Sequence, residues 1–214
     1  MRWVSRIALT LAVAAAVALA LSGPGTRFGL WPYQVGLLLY AAAGIAGLAT
    51  GVLSIVGLCI PKIRQGRLGV LLAALVLGAA SAAAPLGFLL KARSVPPIND
   101  ISTDLANPAF AEQQRKAYPD VQPLTLATSP QSSFERALAA ARAMGWEIVR
   151  EDAASGRIEA VDTSGWFGFK DDVQVRITAA TQGSRVDVRS RSRVGRSDIG
   201  ANAKRIRSYF ERLK

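Results

Sequence analysis

The sequence predicts an α+β protein built in two parts: two or three N-terminal transmembrane helices, then a two-layer domain with a four-stranded antiparallel sheet and two helices. Three observations predict it. All fifteen Asp and Glu lie from Asp100 onward, while the first 93 residues hold eight Lys/Arg and three long apolar runs. Half of the residues are hydrophobic, more than an ordinary soluble domain carries. After Pro130 the apolar period changes from helical to strand-like and back to helical.

The first run, Ile7 to Leu21, has fifteen residues, or nineteen counted from Trp3, and follows a basic start. Its short apolar middle and Ala18-Leu19-Ala20 fit a cleavable signal peptide, and the same residues fit a retained anchor; with two further spans following, the anchor is preferred. The second run, Val35 to Ile60, has 26 uncharged residues, ample at about 1.5 Å per residue to cross a hydrocarbon core of about 30 Å. Trp31 and Tyr33 precede it as interfacial aromatics. Ala43, Gly47 and Gly51 place a small residue at every fourth position, so one face can approach another helix closely.

Pro61 to Arg67 has room only for a tight basic turn, so the third run, Leu68 to Leu90, returns antiparallel. Ala74, Gly78 and Ala82 repeat the small-residue spacing, and Pro85 is expected to bend the last turns. Such faces suit packing within the chain, a membrane-protein partner or a homo-oligomer. Arg2, Arg6, Lys62, Arg64 and Arg67 fall on one side of the spans; Arg27, Lys91 and Arg93 fall on the other. Five against three places the amino terminus in the cytoplasm and the carboxy-terminal domain outside, in the periplasm of a bacterium with an inner membrane.

Residues 1–93 are thus the transmembrane region, with spans near 3–21, 35–60 and 68–90. Residues 94–130 hold six prolines and little periodicity and are expected to form an irregular wrapping segment, with one short helical stretch near Ala109 to Ala117. Ile98, Ile101, Tyr118, Val121 and Leu126 are too apolar for a solvated tether, so the segment should lie across the domain that follows.

Residues 131–214 are the α+β domain. Phe134, Leu138, Ala141 and Met144 recur at helical spacing, and Gly145 stops the run. Strands are expected at Trp146–Glu151, Arg157–Thr163, Asp171–Ala180 and Arg185–Val194, separated by turn residues. Ser197 or Asp198 caps a closing helix whose apolar stripe is Ile199, Ala203, Ile206, Phe210 and Leu213. Both helices should pack on one face of an antiparallel meander.

The chain has no His and one Cys, Cys59, within an apolar run. An internal disulfide framework, a Cys/His zinc site, a Cys-His pair and a Ser-His-Asp triad are excluded. No cofactor is implied. The net charge of +11 does not imply nucleic acid: eight positive charges flank the spans, and from Ser94 on eighteen Lys/Arg face fifteen acids. On the last strand Arg185, Asp187, Arg189, Arg191 and Arg193 share one face, with Asp172, Glu147 or Glu159 as possible cross-strand partners. That face is either a solvated ion-pair ladder or an anion-binding surface. Arg189, Arg191, Arg193 and Arg196 are its candidates.

Three motifs stand out: Pro96-Pro97-Ile98-Asn99-Asp100-Ile101-Ser102-Thr103-Asp104; Asp171-Asp172-Val173 with Val175-Arg176; and Asp187 to Gly200 with Asn202 and Arg205. In this order they resemble the domain of unknown function 1499 family of bacteria and plastid-bearing eukaryotes, over about Val95 to Leu213. The resemblance implies no established activity and no catalytic residues. Read physically, the glycine-containing approach to the last helix exposes backbone N–H groups, but it lacks the Gly-Lys-Ser/Thr ending of a phosphate loop, and Asp198 is placed to cap. Asn99, Asp100 and Asp104 are hard-cation ligand types without calcium-loop spacing, more in keeping with turn capping. Asp171 and Asp172 point to opposite faces of a regular strand, poor geometry for a paired acid and base. Motif positions Asn99, Asp100, Asp104, Asp171, Asp172, Asp198, Asn202 and Arg205 therefore have no assigned role. A non-enzymatic module binding an anionic ligand, lipid headgroup or partner is the expected function; the alternative is an envelope or lipid-modifying enzyme using carboxylates such as Asp172 or Asp104. A transporter is disfavoured, since the spans hold no charge.

Overall fold

The computed structural model describes residues 2–106 and 110–214. The chain divides into two compact units. One comprises the residues to Lys91 with Gly165–Gly168; the other comprises Ala92–Ser164 with Phe169–Lys214.

The first unit contains α1 (Arg2–Arg27), α2 (Tyr33–Cys59), a one-turn α3 (Pro61–Arg64) and α4 (Leu68–Ser94). Three of these helices are long and apolar enough to cross a membrane. Helix α1 runs past Leu21 and through Pro24. The Ser22 and Thr26 hydroxyls on either side of it donate to the carbonyls of Leu19 and Ser22, at 2.7 and 3.1 Å. The basic turn is itself helical: Pro61 takes the first helical position, where a missing N–H costs nothing, and Gly66 at φ 65° reverses the chain.

Side-chain size in this unit is inverted relative to a water-soluble bundle. Ala8, Ala12, Ala43, Thr50, Ser54 and Ala74 are buried, while Leu38, Ile45, Val52 and Val76 are exposed. Close backbone approach explains the small residues. A Cβ at Gly47 would sit 2.5 Å from the Gly78 carbonyl oxygen, and one at Gly78 would sit 2.8 Å from that of Gly47. Gly51 does not join this seam, contrary to its four-residue spacing, and faces open space. The helix turns about 100° per residue, so a strict four-residue repeat drifts about 40° per step. The buried line instead follows Ala43, Gly47, Thr50, Ser54 and Gly57.

The second unit contains β1 (Asp100–Ser102), α5 (Ala111–Ala117), β2 (Leu124–Leu126), α6 (Pro130–Ala143), β3 (Glu147–Asp152), β4 (Arg157–Thr163), β5 (Lys170–Ala180), β6 (Gly183–Ser192) and α7 (Ala201–Leu213). The expected meander is present as β3 to β6, every pairing is antiparallel, and the sheet order is β1-β6-β5-β4-β3. The sheet has six strands rather than four, because β1 and β2 both pair with β6, at Ile101↔Ser190 and Thr125↔Arg185. Three residues are too few to display a period-2 pattern, so the wrapping segment read as irregular. Its short helix is α5; the expected start at Ala109 lies outside the described residues.

Helix α6 begins on Ser129, whose hydroxyl accepts from Ser132 N at 3.3 Å, and ends before Gly145 at φ 76°. One sheet face packs against α6 and α7. Ile158, Val173, Val175, Val186 and Val188 meet Phe134, Ala137, Ile206 and Leu213, with Ile98 and Ile101 of the wrapping segment in the same core. Helix α7 starts two residues later than the apolar stripe suggests, since Ile199 at φ 53° and Gly200 at φ 76° lie in the left-handed region. Ile199 is therefore off the helix. Tyr209, rather than Phe210, is the fully buried ring: it stacks on Trp146 with centroids 4.9 Å apart and donates to the Ala137 carbonyl at 2.8 Å. Burial raises the pKa of this phenol.

Candidate functional site

The motif residues converge on two places in the second unit, one between the layers and one on the helix-free face of the sheet. Between the layers sits Arg205 of α7, with only 8% of its side chain exposed. It donates to Asp171 at 2.7 Å, to Asp162 at 2.6 Å and to the Ser190 hydroxyl at 2.8 Å, and also to Asn202 Oδ1. Asn202, fully buried, donates to the Asn99 carbonyl and to Ser192 Oγ, both at 3.1 Å, and accepts from Ser190 Oγ at 2.7 Å. A buried guanidinium is tolerable only when its donors are satisfied by carboxylates and neutral acceptors; the two acids and the Ser190–Asn202 pair supply both.

The loop into α7 is organised by Asp198. Its carboxylate accepts from Gly200 N at 2.8 Å and from Asn202 N at 2.7 Å, so a side chain of the protein itself occupies the N–H groups at the helix start. Burial raises its pKa, the largest effect, while those two N–H groups act in the opposite direction. Asn99 completes the loop by donating to the Gly195 carbonyl at 2.6 Å.

The helix-free face is a charge ladder. Asp187, nearly buried, accepts two hydrogen bonds from Arg185 at 3.0 Å each, one from Arg176 at 3.3 Å and one from Thr103 at 3.2 Å. Arg176 also reaches Asp104 at 2.6 Å, Arg189 makes a two-pronged pair with Asp100 at 2.9 and 2.6 Å, and Arg193 pairs with Asp172 at 2.7 Å. The Ala106 backbone N–H and then Arg176 hold the Asp104 carboxyl below the usual aspartate range. Of the partners expected for these arginines, Asp172 is used, while Glu147 and Glu159 form no ion pair among the described residues; Asp100 of β1 takes Arg189 instead. Arg191 and Arg196 are exposed and have no carboxylate partner among the described residues.

Two shallow concavities indent this face. The larger, about 350 Å³, includes Asp104, Arg157, Glu159, Gln174, Arg176 and Arg189. The smaller, about 190 Å³, includes Asp172, Arg189, Arg191 and Arg193. Asn99, Asp100 and Asp104 do not gather as a ligand set: each bonds a different partner, and among the described residues no group of three or more Asp, Glu or Cys is placed to hold a metal ion. Asp171 and Asp172 diverge as their strand phase requires, the first to buried Arg205 and the second to exposed Arg193. Sequence reasoning did not find Asp162 or Ser190. Ser190 left a trace, since it and Ser192 occupy the inward phase of β6 after Val186 and Val188, where polar side chains need a buried partner.

An apolar helical unit joined to an antiparallel α+β domain, with a polar node inside that domain and an arginine ladder on its open face, is the class of protein these features define. No curated protein matches the chain. Residues 100–213 match the family described as Protein of unknown function (DUF1499), and the chain belongs to that family. The matched segment contains all of the node except Asn99, and the whole ladder; α1 to α4 lie outside it.

Proposed function

We infer that the protein is a multi-pass protein of a bacterial inner membrane whose α+β domain stands on the extracytoplasmic side and binds an anionic lipid headgroup, without catalysing a reaction. The inverted size distribution of the helical unit supports insertion in lipid, where small residues pack helices together and large apolar side chains meet acyl chains. The distribution of Lys/Arg around the spans supports the orientation.

The observation that carries the binding reading is Arg191. On the open face, Arg176, Arg185, Arg189 and Arg193 each bond a carboxylate, whereas Arg191, directly opposite Asp100 and Asp172 in register, makes no ion pair among the described residues because those acids are taken by Arg189 and Arg193. Its two neighbours are held by Asp100 and Asp172, which fixes the walls of the depression and leaves one guanidinium for an external anion. Arg196, exposed in the following loop, adds a second charge.

The test uses the full chain in nanodiscs of phosphatidylcholine, mixed with vesicles containing phosphatidylglycerol and sedimented. Capture should weaken steeply with salt. Replacing both Arg191 and Arg196 by Gln should lower it by about tenfold or more, at about 1 kcal/mol per surface arginine. Capture that survives both changes contradicts the assignment.

A further inference from the structure

The larger concavity differs in kind from the Arg191 depression. Its charges balance, with Arg157, Arg176 and Arg189 against Asp104, Glu159 and Asp187. Three of its side chains, Arg157, Glu159 and Gln174, make no hydrogen bond or ion pair among the described residues. They sit on two adjacent rungs. One rung runs Asp152↔Arg157↔Arg176↔Asp187, and the next runs Arg150↔Glu159↔Gln174↔Arg189. Residues two apart on a strand share a face about 6.6 Å apart, so Arg157 and Glu159 present opposite charges one step from each other.

The first rung sets two like charges side by side between two acids. Arg157 and Arg176 are direct cross-strand neighbours of like charge, flanked by Asp152 and Asp187; Arg176 bonds Asp187 and Asp104, whereas Arg157 bonds no acid among the described residues. The Arg176 contacts to Asp104 and Asp187 are both made by Nη2, so Nε and Nη1 remain as donors. An oxyanion between Arg157 and Arg176 would meet donors from both. One rung along, Glu159 is half-buried and offers acceptors only, suited to an ammonium group, while Gln174 beside it can donate to one end of a ligand and accept from the other.

We propose that this groove is a binding site for a small zwitterion carrying an oxyanion and an ammonium on a two-carbon tether, with the oxyanion on Arg157 and Arg176 and the ammonium on Glu159. The volume, about 350 Å³, is at the small end of ligand pockets. The site is separate from Arg191 and does not depend on the lipid-binding assignment.

The experiment titrates the full chain, in an uncharged detergent, with O-phosphoethanolamine, ethyl phosphate and ethanolamine, read by calorimetry. O-phosphoethanolamine should bind at least tenfold more tightly than either fragment. Glu159→Gln should erase its advantage over ethyl phosphate, and Arg157→Gln should weaken both phosphates; both variants should keep the parent melting temperature, since these side chains have no internal partner. Arg191→Gln should leave all three affinities unchanged. Equal binding of O-phosphoethanolamine and ethyl phosphate by the parent chain, or an advantage that persists in Glu159→Gln, overturns the proposal. Loss of binding in Arg191→Gln overturns the separation of the two sites, whereas failure of vesicle capture alone bears only on Arg191. Competition by phosphatidylethanolamine vesicles would identify a lipid headgroup as the source of the zwitterion; binding of the soluble probe without such competition would identify a free solute. Either result supports the site.

Discussion

At the scale of single residues, Arg205 has the most demanding environment in the α+β domain. Its charge is out of water, so its stability rests on Asp171, Asp162, Ser190 and Asn202 remaining in place. Arg205→Met should cost about 3–5 kcal/mol, because it leaves the nearly buried Asp171 carboxylate without its partner. The double change Arg205→Met with Asp171→Leu should recover a large part of that loss, and urea unfolding of the parent and the two variants would measure it. Asp104 gives a pH dependence of defined sign. Its folded-state pKa lies below the ordinary aspartate value, so the stabilisation is fully present above that value and is lost as pH falls through the depressed one. Melting temperature should therefore decline on acidification below the normal aspartate range, and Asp104→Asn should flatten that part of the curve. A carboxylate that left the slope unchanged would not be paired in solution.

At the scale of elements, legibility followed how many residues carried each pattern. Strands β3 to β6 and helix α6 were readable because seven or more alternating or helically spaced side chains, or a flanking Gly or Pro, marked most of them. Strands β1 and β2 were not, since a three-residue strand takes its conformation from β6 and not from its own sequence. Helix α7 was found but rotated in expectation. Its buried face includes Asn202 and Arg205, and a purely apolar stripe selects Phe210 over Tyr209. The site was partly legible for the same reason. Asp171, Asn202 and Arg205 stood out as motif positions, but their meeting depends on β5, β6 and α7 packing together, which no spacing along the chain records. In the helical unit the close approach of Gly47 and Gly78 gives the sharpest element-scale test. Gly47→Leu places side-chain carbons against backbone and should abolish the folded bundle, read as aggregation of the detergent-solubilised chain on mild heating. Gly51→Leu, facing open space, should leave the aggregation temperature within a few degrees of the parent.

At the scale of the whole molecule, the segregation of acids is the main fact. Carboxylates are absent over the first 99 residues and frequent afterwards, and three helices long and apolar enough to cross a membrane fall inside the acid-free part. The cost of placing charge in hydrocarbon gives one physical cause for both observations. The α+β domain follows these helices in the same chain, and on that ground an arginine without an ion pair on its open face is proposed to meet headgroups. Alkaline carbonate extraction of membranes from cells expressing the full chain tests this most directly. Retention in the pellet, with release only by detergent, is the result expected of helices held in the bilayer. Recovery of the intact chain in the carbonate supernatant would contradict it.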